Sequence, residues 1–419
     1  GLEGLRAVAA LAVLMTHAAV SATGNRFTLS HIWARLDVGV TVFFVISGFL
    51  MGRPFARSLL PGAPAPRLRP YLRHRLLRIL PAYWAVLIIS YFWYRPDGSV
   101  GLGDVVRHMT LTQIYTTGPL VRSPIPQAWS LATELAFYLF LPVLASLIER
   151  VPAANDAQRR RRVWGALAAM VVAAQVFRIA IVTGGFSLLQ MVALKAWLPN
   201  HLDTFAVGMA LAVISVSRST RRTAGSGTDP APTHTADATP NPTGSPLERV
   251  PGWAPALLGV GVFLVIANLG LPKTKLVFTG PQEFLLHLGY TAVATGLVMS
   301  VHPAITRANP VRTLLSSSPS RFFGRISYGI YLWQILVIGR YLDRHDNQQF
   351  LLSLPRLLWF VVPITILLAT ATWYGIEKPA LRWKHGELPK FGTWLTIITL
   401  LSLGWRLFSF LKITTVIPD

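Results

Sequence analysis

Residues 38–52 read VGVTVFFVISGFLMG, a run without a single charged side chain. Apolar and polar residues do not alternate along it, as they would in a strand with one face in water. A helix that crosses a bilayer needs about 20 predominantly apolar residues. The stretch therefore predicts a membrane-spanning helix, which we place at residues 36–52.

The rest of the chain has the same character. It has 419 residues, of which 52% are hydrophobic and 13% are charged, and its mean hydropathy is +0.48. Soluble domains carry about 25% charged residues, so the composition argues against a cytosolic enzyme, a disordered protein or a disulfide scaffold. We expect an all-α, polytopic transmembrane bundle of about ten core helices plus an eleventh near the C-terminus. The apolar runs are 5–23, 36–52, 79–94, 129–148, 163–182, 200–216, 253–270, 284–301, 323–342, 357–376 and 392–411.

Lysine and arginine total 39 against 17 acidic residues, a net charge of +22. In a soluble protein this excess would indicate nucleic-acid binding, but here we expect no nucleic-acid partner because the basic residues fall mostly in one set of loops. Basic loops remain in the cytoplasm, which predicts a multi-pass protein of the bacterial inner membrane, in contact with membrane lipids, with its N-terminus inside. Loops 53–80, 149–162, 217–252, 303–325 and 377–390 hold 24 basic residues, and the alternate loops 24–35, 95–127, 184–199, 271–282 and 343–355 hold 9.

Residues 217–251 are rich in Thr, Pro, Gly, Ser and Ala, a composition typical of a flexible linker. We interpret it as a cytoplasmic insertion in one transmembrane domain, residues 1–380. Residues 381–419 form a C-terminal extension with the extra helix. The sequence shows no convincing internal repeat, so a transporter built from inverted repeats is not favoured.

Polar residues inside the apolar runs are candidates for function, since they are costly in lipid. Arg6 and His17 are eleven positions apart, which places both on one helix face about 16 Å apart along the axis. Glu134 enters from the opposite side of the membrane and reaches a depth similar to that of His17. A carboxylate beside an imidazole raises its basicity, which favours a general base with its orienting partner. The alternatives are a structural His–Glu hydrogen bond and, for Arg6, a positive anchor at the membrane surface.

The strongest basic patch holds five arginines between Arg67 and Arg78. Arg75 and Arg78 are three residues apart, which places them on one helical face. Paired guanidinium groups at a membrane mouth suit phosphate or pyrophosphate. The alternative is attraction to anionic lipid head groups.

These residues belong to motifs that resemble the acyltransferase 3 family of integral-membrane O-acyltransferases. The resemblance extends from residue 1 to about residue 380, with its blocks in the family's order. The blocks are Gly4-Leu5-Arg6 with His17, residues 39–50 (GVTVFFVISGFL), residues 75–81 (RLLRILP), Trp129-Ser130-Leu131 with Glu134, residues 327–333 (SYGIYLW), and Glu377-Lys378-Pro379.

The resemblance implies transfer of an acyl group, usually acetyl from acetyl-CoA, to a hydroxyl of a cell-envelope carbohydrate or glycolipid. It implies His17 as the base and Glu134 as its partner. It also implies that Arg75 and Arg78 bind the CoA phosphates and that Arg6 assists in the donor path. Acetyl-CoA would be a cosubstrate, with no tightly bound cofactor.

The sequence departs from the family pattern at two positions. Thr41 stands where the second block often has an acidic residue, so that position supplies no carboxylate. Gln334 stands where a histidine often follows the tyrosine–leucine–tryptophan block (residues 331–333), and a glutamine cannot titrate. A mechanism that needs a second histidine there is therefore not supported.

Other polar and aromatic residues could line a substrate path. The candidates are Trp129, Ser130, Tyr83, Tyr331 and Asp203. Interfacial aromatic belts and helix capping are the competing explanations. The chain has no cysteine, so a thioester on the protein is excluded, and we expect no metal site.

Three other functions fit parts of the pattern. A proton-coupled transporter or a lipid flippase would also place Arg, His and Glu inside a bundle. The acyl donor could be longer than acetyl. A non-catalytic scaffold for envelope assembly would not depend on His17 or Glu134.

Overall fold

The computed structural model describes residues 1–23, 30–60, 64–93, 101–117, 123–225, 251–270, 280–302, 305–306, 309–344 and 353–382. Every regular element in these segments is a helix. The α-helices are α1 (Leu2–Thr23), α2 (Ser30–Trp33), α3 (Val38–Leu59), α4 (Leu68–Trp93), α5 (Leu102–Met109), α6 (Trp129–Arg150), α7 (Asp156–Thr183), α8 (Leu188–Lys195), α9 (Leu202–Gly225), α10 (Ala254–Asn268), α11 (Gly280–Val301), α12 (Pro310–Leu315), α13 (Ser318–Arg344), α14 (Leu354–Thr372) and α15 (Lys378–Arg382). Short 3₁₀ turns occupy Gln113–Tyr115, Pro126–Ala128 and Leu198–His201, and a π-helical turn, Trp373–Glu377, joins α14 to α15.

Nine helical segments in the described part of the chain are long and apolar enough to cross a membrane. This confirms the predicted polytopic helix bundle and identifies a multi-pass membrane protein. The spans are Leu2–Ala22, His31–Leu59, Leu68–Phe92, Pro126–Arg150, Asp156–Thr183, Leu198–Ser219, Gly280–Val301, Ser318–Asp343 and Leu354–Arg382.

The predicted span 253–270 is shorter than expected. Helix α10 has 15 residues, which corresponds to about 22 Å of helix, less than the roughly 30 Å of a bilayer core. The helix ends at Asn268, whose side-chain amide donates to the Leu264 carbonyl (2.8 Å). Gly270 then takes the left-handed conformation, with φ +65°.

Two predicted boundaries also change. Helix α4 begins at Leu68, so most of the arginine patch is helical instead of lying in a loop that ends at residue 80. Helix α9 continues to Gly225, so residues 217–225 of the predicted linker are helical. The rest of that linker, residues 226–250, and the predicted helix 392–411 lie outside the described residues.

Helix α3 occupies the centre of the bundle, where it packs against α9 and α1 and also contacts α6 and α11. The α3–α9 crossing is close because glycines face each other across it. A Cβ at Gly48 would overlap the Phe205 carbonyl, and a Cβ at Gly208 would overlap the Val45 carbonyl. Small residues allow this kind of backbone approach between membrane helices.

The substitution Gly48→Ala should destabilise the bundle by roughly 1–3 kcal/mol, because the added methyl group forces the two backbones apart. Gly165→Ala is the matched control, since a Cβ there meets nothing within 4 Å. An alanine inside that exposed helix should stabilise it by about 0.5–1 kcal/mol. The check is thermal unfolding of the purified proteins in detergent, and equal midpoints would contradict the close crossing.

Candidate active site

The first candidate site is a cavity of about 700 Å³, including its open mouth, between α1, α3, α4, α6 and α13. We call it the arginine cavity. Phenylalanine, tyrosine and aliphatic side chains form much of its wall. Its polar and charged lining consists of Arg6, Ser47, Arg75, Arg78, Ser130, Glu134 and three tyrosines, Tyr138, Tyr328 and Tyr331.

Three arginines converge on this cavity from two helices. Arg6 comes from α1, and Arg75 and Arg78 come from the first half of α4. The guanidinium carbon of Arg6 lies 6.0 Å from the centre of the Phe43 ring, and that of Arg75 lies 6.0 Å from the Tyr138 ring. These cation–π contacts hold the guanidinium groups in an apolar setting.

The carboxylate of Glu134 is the anionic centre of the site. Its Oε1 atom accepts hydrogen bonds from the Ser47 hydroxyl and from the Tyr138 hydroxyl at 2.7 Å. Tyr138 follows Glu134 by one helical turn, so this bond forms within α6. The charges of Arg6 and Arg75 lie within electrostatic range of Glu134, and they offset the cost of a carboxylate at this depth.

Glu377 stands in the last block of the family resemblance but was given no role from the sequence, although it belongs to this charge cluster. Its side chain is only 4% exposed, and Arg78 and Arg6 are its charged neighbours. The wider π-helical turn Trp373–Glu377 carries it, and π turns often occur at functional sites. The sequence signal that could have pointed to it is an acidic residue directly after the apolar run 357–376.

The arginines retain unused hydrogen-bonding capacity. The buried Nε atoms of Arg6 and Arg75 have no hydrogen-bond partner among the described residues. Three guanidinium groups face two carboxylates, so the cluster keeps an excess positive charge. An anionic ligand with several oxygen atoms would satisfy both features.

Ser130 and Tyr331, two predicted substrate-lining residues, form the opposite wall of the arginine cavity. The Ser130 Oγ and the Tyr331 hydroxyl are 2.7 Å apart, and the Tyr331 hydroxyl donates to the Gln127 carbonyl at 2.8 Å. The Ser130 hydroxyl also lies 3.4 Å from the same carbonyl. Gln334, the residue that departs from the family pattern, lies fully buried beyond Tyr331 and donates to its carbonyl at 3.3 Å.

His17 lies further along α1, about 16 Å of helix from Arg6. The preceding residue, Thr16, donates to the Trp33 carbonyl at 2.9 Å, which places this turn beside α2. His17 is not among the described residues that line the arginine cavity. The described hydrogen bonds of Glu134 go to Ser47 and Tyr138, so the predicted contact between His17 and Glu134 stays a prediction.

The remaining predicted residues lie elsewhere. Trp129 lines a second, larger cavity, with an empty volume of about 1300 Å³, which we call the histidine cavity because His201 and His287 also line it. Asp203 lies behind that cavity. Tyr83 is fully buried outside both cavities, where its hydroxyl donates to the His108 carbonyl at 2.8 Å.

A charged network supports the wall of the histidine cavity. Arg178, which is 2% exposed, forms an ion pair with Asp203 at 3.1 Å. Asp203 in turn lies 3.1 Å from the Nε2 atom of His287. Buried pairs of this kind depend on both partners being present.

These features define a class, a polytopic helical membrane protein with a positively charged cavity inside its bundle. The chain belongs to the acyltransferase 3 family, whose profile, described as an acyltransferase domain, matches residues 1–374.

Curated proteins with similar sequences carry related names. A Staphylococcus aureus protein named "Putative O-acetyltransferase" is 22% identical over 431 residues, covering 96% of this chain and 61% of the relative. A Bacillus subtilis protein named "Putative peptidoglycan O-acetyltransferase YrhL" is 24% identical over 410 residues, covering 90% of this chain and 54% of the relative. "Acyltransferase MdmB" of Streptomyces mycarofaciens is 28% identical over 237 residues, covering 51% of this chain and 56% of the relative. The chain thus spans little more than half the length of these relatives, and no solved structure matches it.

The substitution Asp203→Asn should destabilise the protein by about 3–5 kcal/mol, because it leaves the Arg178 charge buried without its counter-ion. The double variant Arg178→Gln/Asp203→Asn should recover a large part of that loss, since it removes both charges. Thermal unfolding of Asp203→Asn, Arg178→Gln and the double variant measures the coupling energy between the two side chains. Additive losses would show that the pair does not stabilise the wall.

Proposed function

We propose that the chain is a membrane O-acyltransferase that moves an acyl group, most simply acetyl, from acyl-CoA to a hydroxyl of a carbohydrate acceptor. The observation that carries this proposal is the arginine cavity, where three guanidinium groups surround a carboxylate inside an apolar bundle. Family membership supports the class of reaction.

The arginine cavity suits the phosphate groups of acyl-CoA. Arg75 and Arg78 supply charge and directed N–H donors, the combination that recognises phosphate oxygens. Arg6 adds a third guanidinium on the side of α1, toward the interior. The buried donor atoms of Arg6 and Arg75 that lack partners among the described residues favour a ligand with several anionic oxygens.

The reaction conserves atoms and protons without a further reactant. The acceptor hydroxyl oxygen attacks the thioester carbonyl, so a C–O bond forms and the C–S bond breaks. The hydroxyl proton passes to a general base and from there to the CoA sulfur, which leaves as the thiol. The products are an ester on the acceptor and free CoA.

We propose His17 as the general base and Glu134 as the carboxylate that supports it. His17 lies on the same face of α1 as Arg6, and a histidine titrates close to neutral pH. Glu134 is already fixed by two hydroxyl donors, so in this proposal it acts on His17 through the electrostatics of the shared interior.

The acceptor class is proposed from a relative's name. The Bacillus subtilis relative is named for peptidoglycan, a carbohydrate polymer of the cell envelope. The basic loops favour a cytoplasmic N-terminus in the bacterial inner membrane. Arg6, Arg75 and Arg78 would then receive the donor from the cytoplasm, while the acceptor enters from the outer side.

The double variant Arg75→Gln/Arg78→Gln should raise the KM for acetyl-CoA at least tenfold. Hydrogen bonds to charged groups contribute about 1.5–3 kcal/mol each, and about 1.4 kcal/mol corresponds to a factor of ten. The measurement is transfer of radiolabelled acetyl to a lipid-sugar extract by the purified protein. Arg73→Gln is the control, since Arg73 is on the same helix but exposed.

An unchanged KM for acetyl-CoA in the double variant would contradict the proposal that Arg75 and Arg78 bind the donor. The same assay tests the other functions. A transporter or a scaffold gives no labelled product, and a longer acyl-CoA that outcompetes acetyl-CoA would identify a different donor.

The substitution His17→Ala should reduce the transfer rate by about 10²–10⁴-fold, the usual contribution of a general base, without changing the KM for acetyl-CoA. His31→Ala is the control, since this histidine lies on α2 and belongs to none of the blocks of the family resemblance. Gel filtration and thermal unfolding establish that both variants are folded. Full activity of a folded His17→Ala protein would exclude the residue as the base.

A further inference from the structure

The donor assignment leaves the histidine cavity unused. It lies between α3, α6, α8 and α11, next to the first turn of α9. It is separate from the arginine cavity, but Phe44 lines both. Trp129 lines the histidine cavity and the next residue, Ser130, lines the arginine cavity, so the two cavities lie back to back.

An aromatic platform forms one wall of the histidine cavity. The rings of Trp129 and His201 stack with centres 5.5 Å apart and an angle of 30° between their planes. The Nε2 atom of His201 donates to the Lys195 carbonyl at 2.9 Å, which fixes the imidazole and leaves Nδ1 as an acceptor. The platform therefore combines a flat apolar face with a polar edge.

Polar groups lie beside this platform in the cavity lining. His287 lies 5.8 Å from His201, measured between ring centres, and its Nε2 atom is 3.1 Å from the Asp203 carboxylate. The pairing with Asp203 orients His287, whose Nδ1 atom is the ring nitrogen left for a further hydrogen bond. Lys195 and Glu283, joined by an ion pair of 2.7 Å, add charged groups to the lining.

The edge formed by helix α8 is apolar. Leu188 lines the cavity and is also 51% exposed, and Leu189 beside it is 50% exposed. Met191 and Val192 continue the apolar lining along the same helix. Helix α8 begins five residues after the end of the candidate membrane span Asp156–Thr183, so its exposed leucines lie close to the end of that span.

We propose that the histidine cavity binds the sugar headgroup of a lipid-linked carbohydrate. The apolar face of a sugar ring would stack on Trp129, whose other face packs on His201, and its hydroxyl groups would bond to His287 and the charged pair. The lipid chain would leave along the apolar edge of α8. This inference rests on the proposed function only for its consequence, namely that the bound sugar is the acyl acceptor.

The test is equilibrium binding to the full chain in phosphatidylcholine nanodiscs. The probes are three tritiated dodecyl glycosides with glucose, mannose or N-acetylglucosamine as the headgroup, together with the three free sugars. We expect saturable binding of at least one dodecyl glycoside, displaced by the unlabelled compound, and binding of the matching free sugar at least tenfold weaker. The substitution Trp129→Ala should weaken the glycoside at least tenfold, and Trp129→Phe should restore part of that loss because it keeps an aromatic face.

The substitution Trp359→Ala is the matched control, because that tryptophan is 85% exposed and lines neither cavity. Non-saturable uptake of all three glycosides, or equal affinity of the Trp129→Ala and Trp359→Ala proteins, would overturn the proposal. Equal affinity for the free sugar and its glycoside would overturn the assignment to a lipid-linked ligand. Failure of the proposed function has a different signature, since glycoside binding would persist in a protein that transfers no acyl group.

Discussion

The need to compensate the buried carboxylate of Glu134 is the constraint on which the interior depends. A carboxylate inside an apolar bundle is expensive unless charge and hydrogen bonds compensate it. Ser47 and Tyr138 satisfy one carboxylate oxygen, and Arg6 and Arg75 supply the opposing charge. These side chains come from α3, α6, α1 and α4. Each of these four helices must therefore present the correct face to the interior for the site to form.

Helix α3 links this constraint to the rest of the molecule. Gly48 lets α3 approach α9 closely, and that approach places Phe44 between the two cavities. Guanidinium groups dominate one cavity, whereas stacked Trp129 and His201 characterise the other. A donor with an anionic end and an acceptor with a sugar ring can therefore occupy separate chambers that share one aromatic wall.

Hydropathy predicted most of the spans because a helix in lipid must satisfy its own backbone, whatever its neighbours are. It contains no information about how each helix is rotated or which helices are adjacent. Ser47 was missed because a hydroxyl in an apolar run carries little signal, although it contacts the central carboxylate. The place of Glu377 in the arginine cluster was missed because only the packing of the π turn shows that it reaches the arginines. The pairing of His17 with Glu134 was inferred from depth and from the family resemblance, and two residues at one depth can face different neighbours.

The separation of His17 from the arginine cluster follows from the helix itself, since eleven residues of α1 span about 16 Å. An acyl-CoA has a similar separation between its charged end and its reactive end. Its phosphates lie at one end of an extended arm, and its thioester lies at the other. A donor held by Arg75 and Arg78 would present its reactive carbonyl some distance from those arginines, deeper in the bundle. A base next to the phosphates would be too far from that carbonyl, so a base further along α1 is what such a donor requires.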